Sequence, residues 1–265
     1  MDDYIKNYDN LTQKIVYNFK VGDGGLGDCI KFFMYTLDIC MKHNYKLYYL
    51  INNIPIEKYL KIKYEKMYIK HQDIKDHSNN INHVNSIQYI TNDVYNIVFP
   101  QLFYSVFNYE SININIQDVF EFSDEIIQNS HILLSENINN YISLHLRLGD
   151  KYLETDQYFV LCKDDERSYN ANLMFNFIEE NRNKNIIFFC DNKNCKSMLK
   201  EKYNNIIVLN SDIGHTSLTN TTDKQTLDAI TELYIMTNSQ EIYSASNSGF
   251  SVIASKFKNI PLINL

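Results

Sequence analysis

From residue 141 onward the chain repeats one pattern: a short, almost unbroken apolar run, a polar turn, then a stretch with helical spacing. The runs are Tyr141–Arg147, Asn185–Cys190 (NIIFFC), Ile206–Asn210 (IIVLN), Glu241–Ser246 and Pro261–Leu265. Helical spacing falls on Tyr169–Arg182, Cys195–Tyr203, Asp223–Asn238 and Phe250–Phe257. A strand with one face in water alternates apolar and polar residues, whereas a strand apolar throughout is buried on both faces. Such strands alternating with helices predict a parallel sheet covered on both sides. The first half begins the same way, with a strand at Lys14–Val21, a Gly-rich turn, a helix at Cys29–His43 and a strand at Lys46–Asn52. Residues 54–112 are less regular; short strands are expected around Tyr68 and Gln88. An amphipathic helix is expected over Asp118–Leu134. The economical reading is an α/β chain of two Rossmann-like units divided near residues 136–141, that is 1–138 and 139–265.

Composition narrows the function. The 265 residues carry a formal net charge of −7, which disfavours nucleic acid as the main partner, because phosphate backbones call for a basic surface. Five cysteines, Cys29, Cys40, Cys162, Cys190 and Cys195, form an odd set with no CxxC pair. That excludes a disulfide framework or a Cys-rich zinc site and fits a reducing, cytoplasmic setting. The N-terminus is polar and acidic, unlike a secretory signal, and no apolar stretch approaches the ~20 residues that span a bilayer.

Six of the seven glycines fall in three short segments, each just after an expected strand. They are GDGGLGD (Gly22–Asp28), HLRLGD (His145–Asp150) and SNSGFS (Ser246–Ser251). In open α/β sheets ligands bind outside the carboxyl ends of the strands, where glycine permits close backbone approach. The first segment is a strand–loop–helix junction able to hold phosphate on helix amides through Gly24, Gly25 and Gly27. It matches neither a Walker loop nor a GxGxxG fingerprint. In the second, His145 and Arg147 stand two apart on a strand and so share a face. Arg147 is one of only three arginines, and its fork suits a diphosphate. In the third, hydroxyls and amides at a helix start would cradle an anion. The acidic run Asp164-Asp165-Glu166 reads as a solvent face.

Together the three segments resemble the fucosyltransferase superfamily of GT-B glycosyltransferases. The likeness is nearest to the bacterial-type α-1,2-fucosyltransferases, with the protein O-fucosyltransferases and α-1,6 enzymes further off. That group carries a GxGLG[ND] loop, an HxRxGD strand end and a DLYLMS…SNSxFS segment. Here they read GGLGD (Gly24–Asp28), HLRLGD, and ELYIMT (Glu232–Thr237) followed by SNSGFS. The likeness covers most of residues 141–257 and the first loop. It departs at Leu148, where a second Arg is common, at Val252-Ile253 in place of a Trp pair, and at Asp28, where Asn is usual.

The resemblance implies a GT-B-like fold, two Rossmann-like domains with parallel sheets facing a cleft. Residues 1–138 would face the acceptor and residues 139–265 would bind the nucleotide sugar. It implies an inverting transferase moving a sugar, fucose from GDP-fucose, onto a glycan hydroxyl. Arg147 would bind the β-phosphate and His145 would line the nucleotide. Glu232 would read the guanine edge, Asp191 would line the site, and Asn247, Ser248, Gly249 and Phe250 would hold the phosphates. The base would be Asp28, as in the loop of ADP-heptose-type transferases, or Asp23, as in some protein O-fucosyltransferases. The partners are then a nucleotide-sugar donor and a glycan acceptor, with no cofactor beyond the GDP-sugar and no metal, since no DxD motif stands in a suitable loop. Two rivals are a transferase for another NDP-sugar (heptosyl- or rhamnosyl-type) and a catalytically silent carbohydrate-binding protein of the same fold.

Overall fold

A computed structural model describes residues 1–75, 77–111, 113–134, 138, 140–152, 164–216 and 221–265. Cys162 and residues 136, 137 and 139 of the expected 136–141 boundary lie outside the described residues. The chain forms two compact units, Met1–Glu121 and Phe122–Leu265.

The first unit is built on five parallel strands: β1 (Lys14–Tyr17), β2 (Lys46–Leu50), β3 (Tyr68–Ile69), β4 (Ser78–Asn80) and β5 (Tyr95–Val98). Their spatial order is β3-β2-β1-β5-β4. Helix α1 (Leu26–His43) presses Ile30, Phe33, Met34 and Leu37 inward, all fully buried, and ends on Asn44 in the left-handed conformation at φ 56°. The core here is aromatic: Tyr17 meets Phe33 edge-on at 5.6 Å, and Phe33 meets Phe120 at 5.3 Å. Tyr68 is in a strand as expected, but Gln88 lies in a short 3-10 helix, Val84–Tyr89. The strand of that region is β5, whose Asn96, Ile97 and Val98 are buried beside β1.

The second unit has strands β6 (Ile142–Leu146), β7 (Ile186–Cys190), β8 (Ile206–Val208), β9 (Ile242–Ser244) and β10 (Leu262–Asn264). All pair in parallel, in the order β8-β7-β6-β9-β10. Strands β6 and β7 are buried at every residue, whereas the edge strand β10 is largely exposed. Among the described residues, five α-helices accompany the sheet: α2 (Asp124–Leu133), α3 (Ala171–Glu180), α4 (Lys193–Lys202), α5 (Asp223–Met236) and α6 (Gly249–Lys258). Leu144, Leu146, Met174, Ile178, Phe188 and Leu199 form its core, each buried aliphatic or aromatic side chain contributing ~1.5–3 kcal/mol.

The helix expected over Asp118–Leu134 is shorter. Phe120–Phe122 is extended, and the helix starts after Ser123. It groups with the second unit, so the chain divides at 121/122 and not at the expected 138/139. The reason is a buried polar tie: Asn129 Nδ2 donates to Asp228 Oδ1 (3.1 Å) and Thr231 Oγ1 (2.9 Å) on α5. Phe122 adds ring contacts to Tyr234 and Phe257 at 5.2 and 4.9 Å. Among the described residues no helix is long and apolar enough to cross a membrane.

Candidate functional site

The strand order of the second unit reverses between β6 and β9: β7 and β8 are added on one side of β6, β9 and β10 on the other. Ligands of open α/β sheets bind at the carboxyl end of such a reversal. His145 on β6 sits opposite Ser244 on β9, and the Arg147 N–H donates to Ser246 Oγ at 2.8 Å. Two of the three glycine segments are thus joined at one sheet edge.

His145 is 6% exposed and its ring lies 5.6 Å from that of Phe250, in the first turn of α6. Its Nδ1 is buried without a hydrogen-bond partner. Burial, then the charges of Arg147 and Lys196, push its pKa down to about 3, so the ring is neutral at physiological pH. Ser248 caps α6, its Oγ accepting from Phe250 N at 3.3 Å. The amides of Gly249 and Ser251, also in the first turn, have no partner among the described residues. A helix start with open amides favours an anion.

Arg147 does not stand alone. Its guanidinium pairs with Asp150 and, at 3.0 Å, with Asp191, and lies 3.9 Å from Asp165. Asp191 also accepts from the backbone N–H groups of Leu148 (2.8 Å) and Gly149 (2.9 Å). The expected nucleotide-lining Asp191 is therefore the anchor of the HLRLGD turn. Gly149 has φ +110°, and a Cβ there would come within 2.2 Å of the Asp165 carbonyl oxygen. The acidic run read as a solvent face contains a site residue: Asp165 pairs with Arg167 at 2.7 Å and accepts from Asp150 N at 3.2 Å. Its neighbour Glu166 binds Lys151 and Tyr152 outside. The sequence signal for Asp165 is its place two residues before Arg167, one of three arginines.

Glu232 is 4% exposed and forms a buried ion pair with Lys196 at 2.8 Å, with Ser211 as a further donor. Lys196, itself 5% exposed, has no counterpart among the sequence motifs. Asn247 is exposed on a recess of about 770 Å³ walled by Ser168–Asn172 and Ser244–Ser246. Neither His145 nor Arg147 lines that recess.

In the first unit, the glycine loop is shorter than its motif, because α1 begins at Leu26 and takes Gly27 and Asp28 into its first turn. Asp28 Oδ2 accepts from Gly25 N at 2.9 Å, and its other oxygen pairs with Lys31. Gly24, at φ +137°, makes room for that carboxylate: a Cβ there would lie 2.5 Å from Asp28 Oδ2. Asp23 accepts from Lys20 N (2.8 Å) and from Gln101 Nε2 (2.6 Å).

The chain matches no protein-family model and no curated protein. It is similar in fold to solved fucosyltransferase structures. NodZ α-1,6-fucosyltransferase soaked with GDP-fucose superposes with a TM-score of 0.61 at 12% identity, covering 96% of this chain and 95% of that one. A mutant of Arabidopsis thaliana FUT1 in complex with GDP gives 0.55 at 11% identity, over 100% and 74% of the two chains. POFUT1 in complex with GDP gives 0.52 at 11%, over 96% and 99%. The fold is therefore the mixed α/β, parallel-sheet architecture of GT-B fucosyltransferases.

Proposed function

We propose that the protein is a GDP-sugar-dependent glycosyltransferase that moves a sugar, fucose from GDP-fucose, to a glycan hydroxyl with inversion. The carrying observation is the reversal edge of the second unit, where an unpartnered neutral His145, the Arg147 fork and the open amides of α6 converge. Structures of the same fold hold GDP or GDP-fucose, which supports the same donor class here. The motifs favour the bacterial α-1,2 type; the fold is shared with NodZ, an α-1,6 enzyme.

In this reading the acceptor oxygen attacks the anomeric carbon as the bond to the β-phosphate oxygen breaks. The electron pair leaves with GDP, and the acceptor proton goes to a carboxylate. Arg147 and the α6 amides stabilise the charge that develops on the diphosphate. A guanidinium has five N–H donors, so Asp150 and Asp191 orient the fork and leave donors for phosphate. Asp23 is the better base, since its partners, Lys20 N and Gln101 Nε2, are neutral donors, whereas Asp28 is paired with the charged Lys31 as well as with its own helix start. No step needs a divalent ion.

The test is thermal unfolding with GDP, UDP, ADP and dTDP at equal concentration. A selective nucleotide at a hundredfold excess over Kd stabilises by about 2.7 kcal/mol. GDP raises Tm most, and a Glu232→Gln variant narrows its lead. Equal or absent shifts for all four overturn the guanine reading. They favour the silent-protein rival, which draws on the carboxylates already facing Arg147.

A further inference from the structure

A smaller recess, about 340 Å³, lies wholly in the first unit at the carboxyl edge of its sheet. Asn18 just beyond β1, Phe99 just beyond β5, Leu50 of β2, and Ser78 and Asn80 of β4 line it. This too is an order reversal, because β1 lies between β2 and β5. Its charged lining residues are the two lysines Lys20 and Lys75, with His71 beside them. No carboxylate among the described residues lines it, in a chain of net charge −7.

The second observation is Asn18, a lining residue only 3% exposed. Its Oδ1 accepts from Asn52 Nδ2 at 2.9 Å, but its own amide nitrogen has no partner among the described residues. That nitrogen is not sealed from the recess, so its N–H groups are donors that a bound acceptor can take. Asn52 also sets the state of His71. Its amide nitrogen donates to Asn18, to Phe19 O and to Leu50 O, so its Oδ1 is the acceptor for His71 Nε2 at 3.0 Å. Nε2 therefore carries a proton. Lys20 is steadied over the Phe99 ring, 5.0 Å from its centroid.

We propose that this recess binds the oxyanion group of a ligand, a phosphate, sulfate or carboxylate, between Lys20, Lys75 and the unmatched amide nitrogen of Asn18, with His71 held aside by Asn52. For a glycosyltransferase, this group would belong to an acidic acceptor. That last step rests on the proposed function; the anion site does not.

The probe is inorganic phosphate, titrated by calorimetry against the full chain at constant ionic strength set with chloride. Saturable binding is expected, with Lys20→Ala and Lys75→Ala each weakening it about tenfold, the scale of one charge-assisted hydrogen bond. Both lysines are exposed, so these variants keep the fold; Asn18→Asp, which puts a like charge in the recess, abolishes binding if it folds. Absent binding, or equal binding to the Lys20→Ala/Lys75→Ala double variant, overturns the site. Displacement of phosphate by glucuronate or glucose 6-phosphate, but not by glucose, supports the acidic acceptor. Displacement by GDP alone overturns the acceptor assignment and gives the site to a nucleotide diphosphate. The GDP stabilisation test above is scored separately in the lysine double variant, so loss of donor binding and loss of the anion site are distinguishable.

Discussion

The glycine turn that opens each unit handles its carboxylates differently. In the first unit, Asp28 accepts from Gly25 N, three residues away, and Asp23 from Lys20 N, also three away. These backbone bonds come from the turn's own neighbours, as is common for Asp at turns and helix starts, and the one distant donor to its carboxylates among the described residues is the side chain of Gln101, on Asp23. In the second unit, the turn after His145 is held from a distance. Asp191 reaches back 43 residues to Leu148 N and 42 to Gly149 N, and Asp165 reaches back 15 to Asp150 N. A turn held by local carboxylates needs no ligand to explain it. One clamped by residues from another strand end and another loop holds its strand-end groups in a set geometry, which is what binding and charge stabilisation require. The comparison assigns the larger functional weight to the second unit.

The sharpest attempt to break that assignment is at Arg147. Losing one donor to a developing oxyanion costs on the order of 10²–10³ in kcat. Arg147→Ala also takes the guanidinium from Asp191, whose side chain is 2% exposed and keeps the Leu148 and Gly149 N–H donors but no counter-charge from Arg147, so the protein loses stability as well as turnover. Arg147→Lys separates the two effects. It keeps the positive charge beside the carboxylates but not the planar fork, so Tm stays near the parent value while kcat remains 10²–10³ down. Near-normal turnover in a folded Arg147→Lys protein would remove the arginine from the chemistry.

A smaller effect distinguishes His145 from an ordinary core histidine. Its folded pKa, about 3, lies below the unfolded value near 6.5, so the unfolded chain takes up a proton that the folded chain refuses. The stability this represents is fully present above pH 6.5 and is lost progressively as pH falls toward 3. One proton so linked removes roughly 2 kcal/mol between pH 6.5 and about 5. In His145→Gln that part of the acid slope is absent. GDP, if its site includes the ring, raises Tm less in the variant than in the parent at pH 7.5. Denaturant unfolding across this pH range, with and without GDP, measures both.

Most of the sheet was legible in the sequence, because β7 (IIFFC) is apolar throughout and double burial accounts for that, while Ser143 and His145 interrupt the apolar run of β6 and are buried all the same. The three glycine segments were legible for a similar reason: few other glycines competed with them. What escaped were juxtapositions that no local pattern records. Asp165 looked like part of a solvated acidic run until Arg147 and Arg167 came alongside. Lys196 looked like one surface lysine among 22, yet it is the buried partner of Glu232. Asn18 carried no signal, since nothing in its neighbours tells that Asn52 would take one end of its amide and leave the other. The helix boundary at Ser123 was missed because Phe120 and Phe122 fit a helical apolar stripe as well as an extended segment.

The smallest effect tests the other half of the comparison. If Asp28 serves the turn and not the reaction, its removal should act on stability through the lost helix-start bond to Gly25 N and the lost pairing with Lys31. Replacing a capping side chain by Ala costs ~1 kcal/mol. Lys31 would still rest against the Phe32 ring, 4.5 Å from its centroid, so its charge is not left without a favourable contact. Asp28→Ala therefore lowers Tm by a few degrees, about 2–4 °C per kcal/mol for a chain of this size. Transfer from a GDP-sugar, measured below the melting range, stays within a few-fold. Asp23→Ala gives the reverse pattern: the carboxylate is only half-buried, so Tm changes little, while a lost base lowers kcat by 10²-fold or more and flattens the acid limb of the rate profile. A large kcat loss in Asp28→Ala with Tm unchanged would exchange the two assignments and give the first unit's turn a direct part in the chemistry.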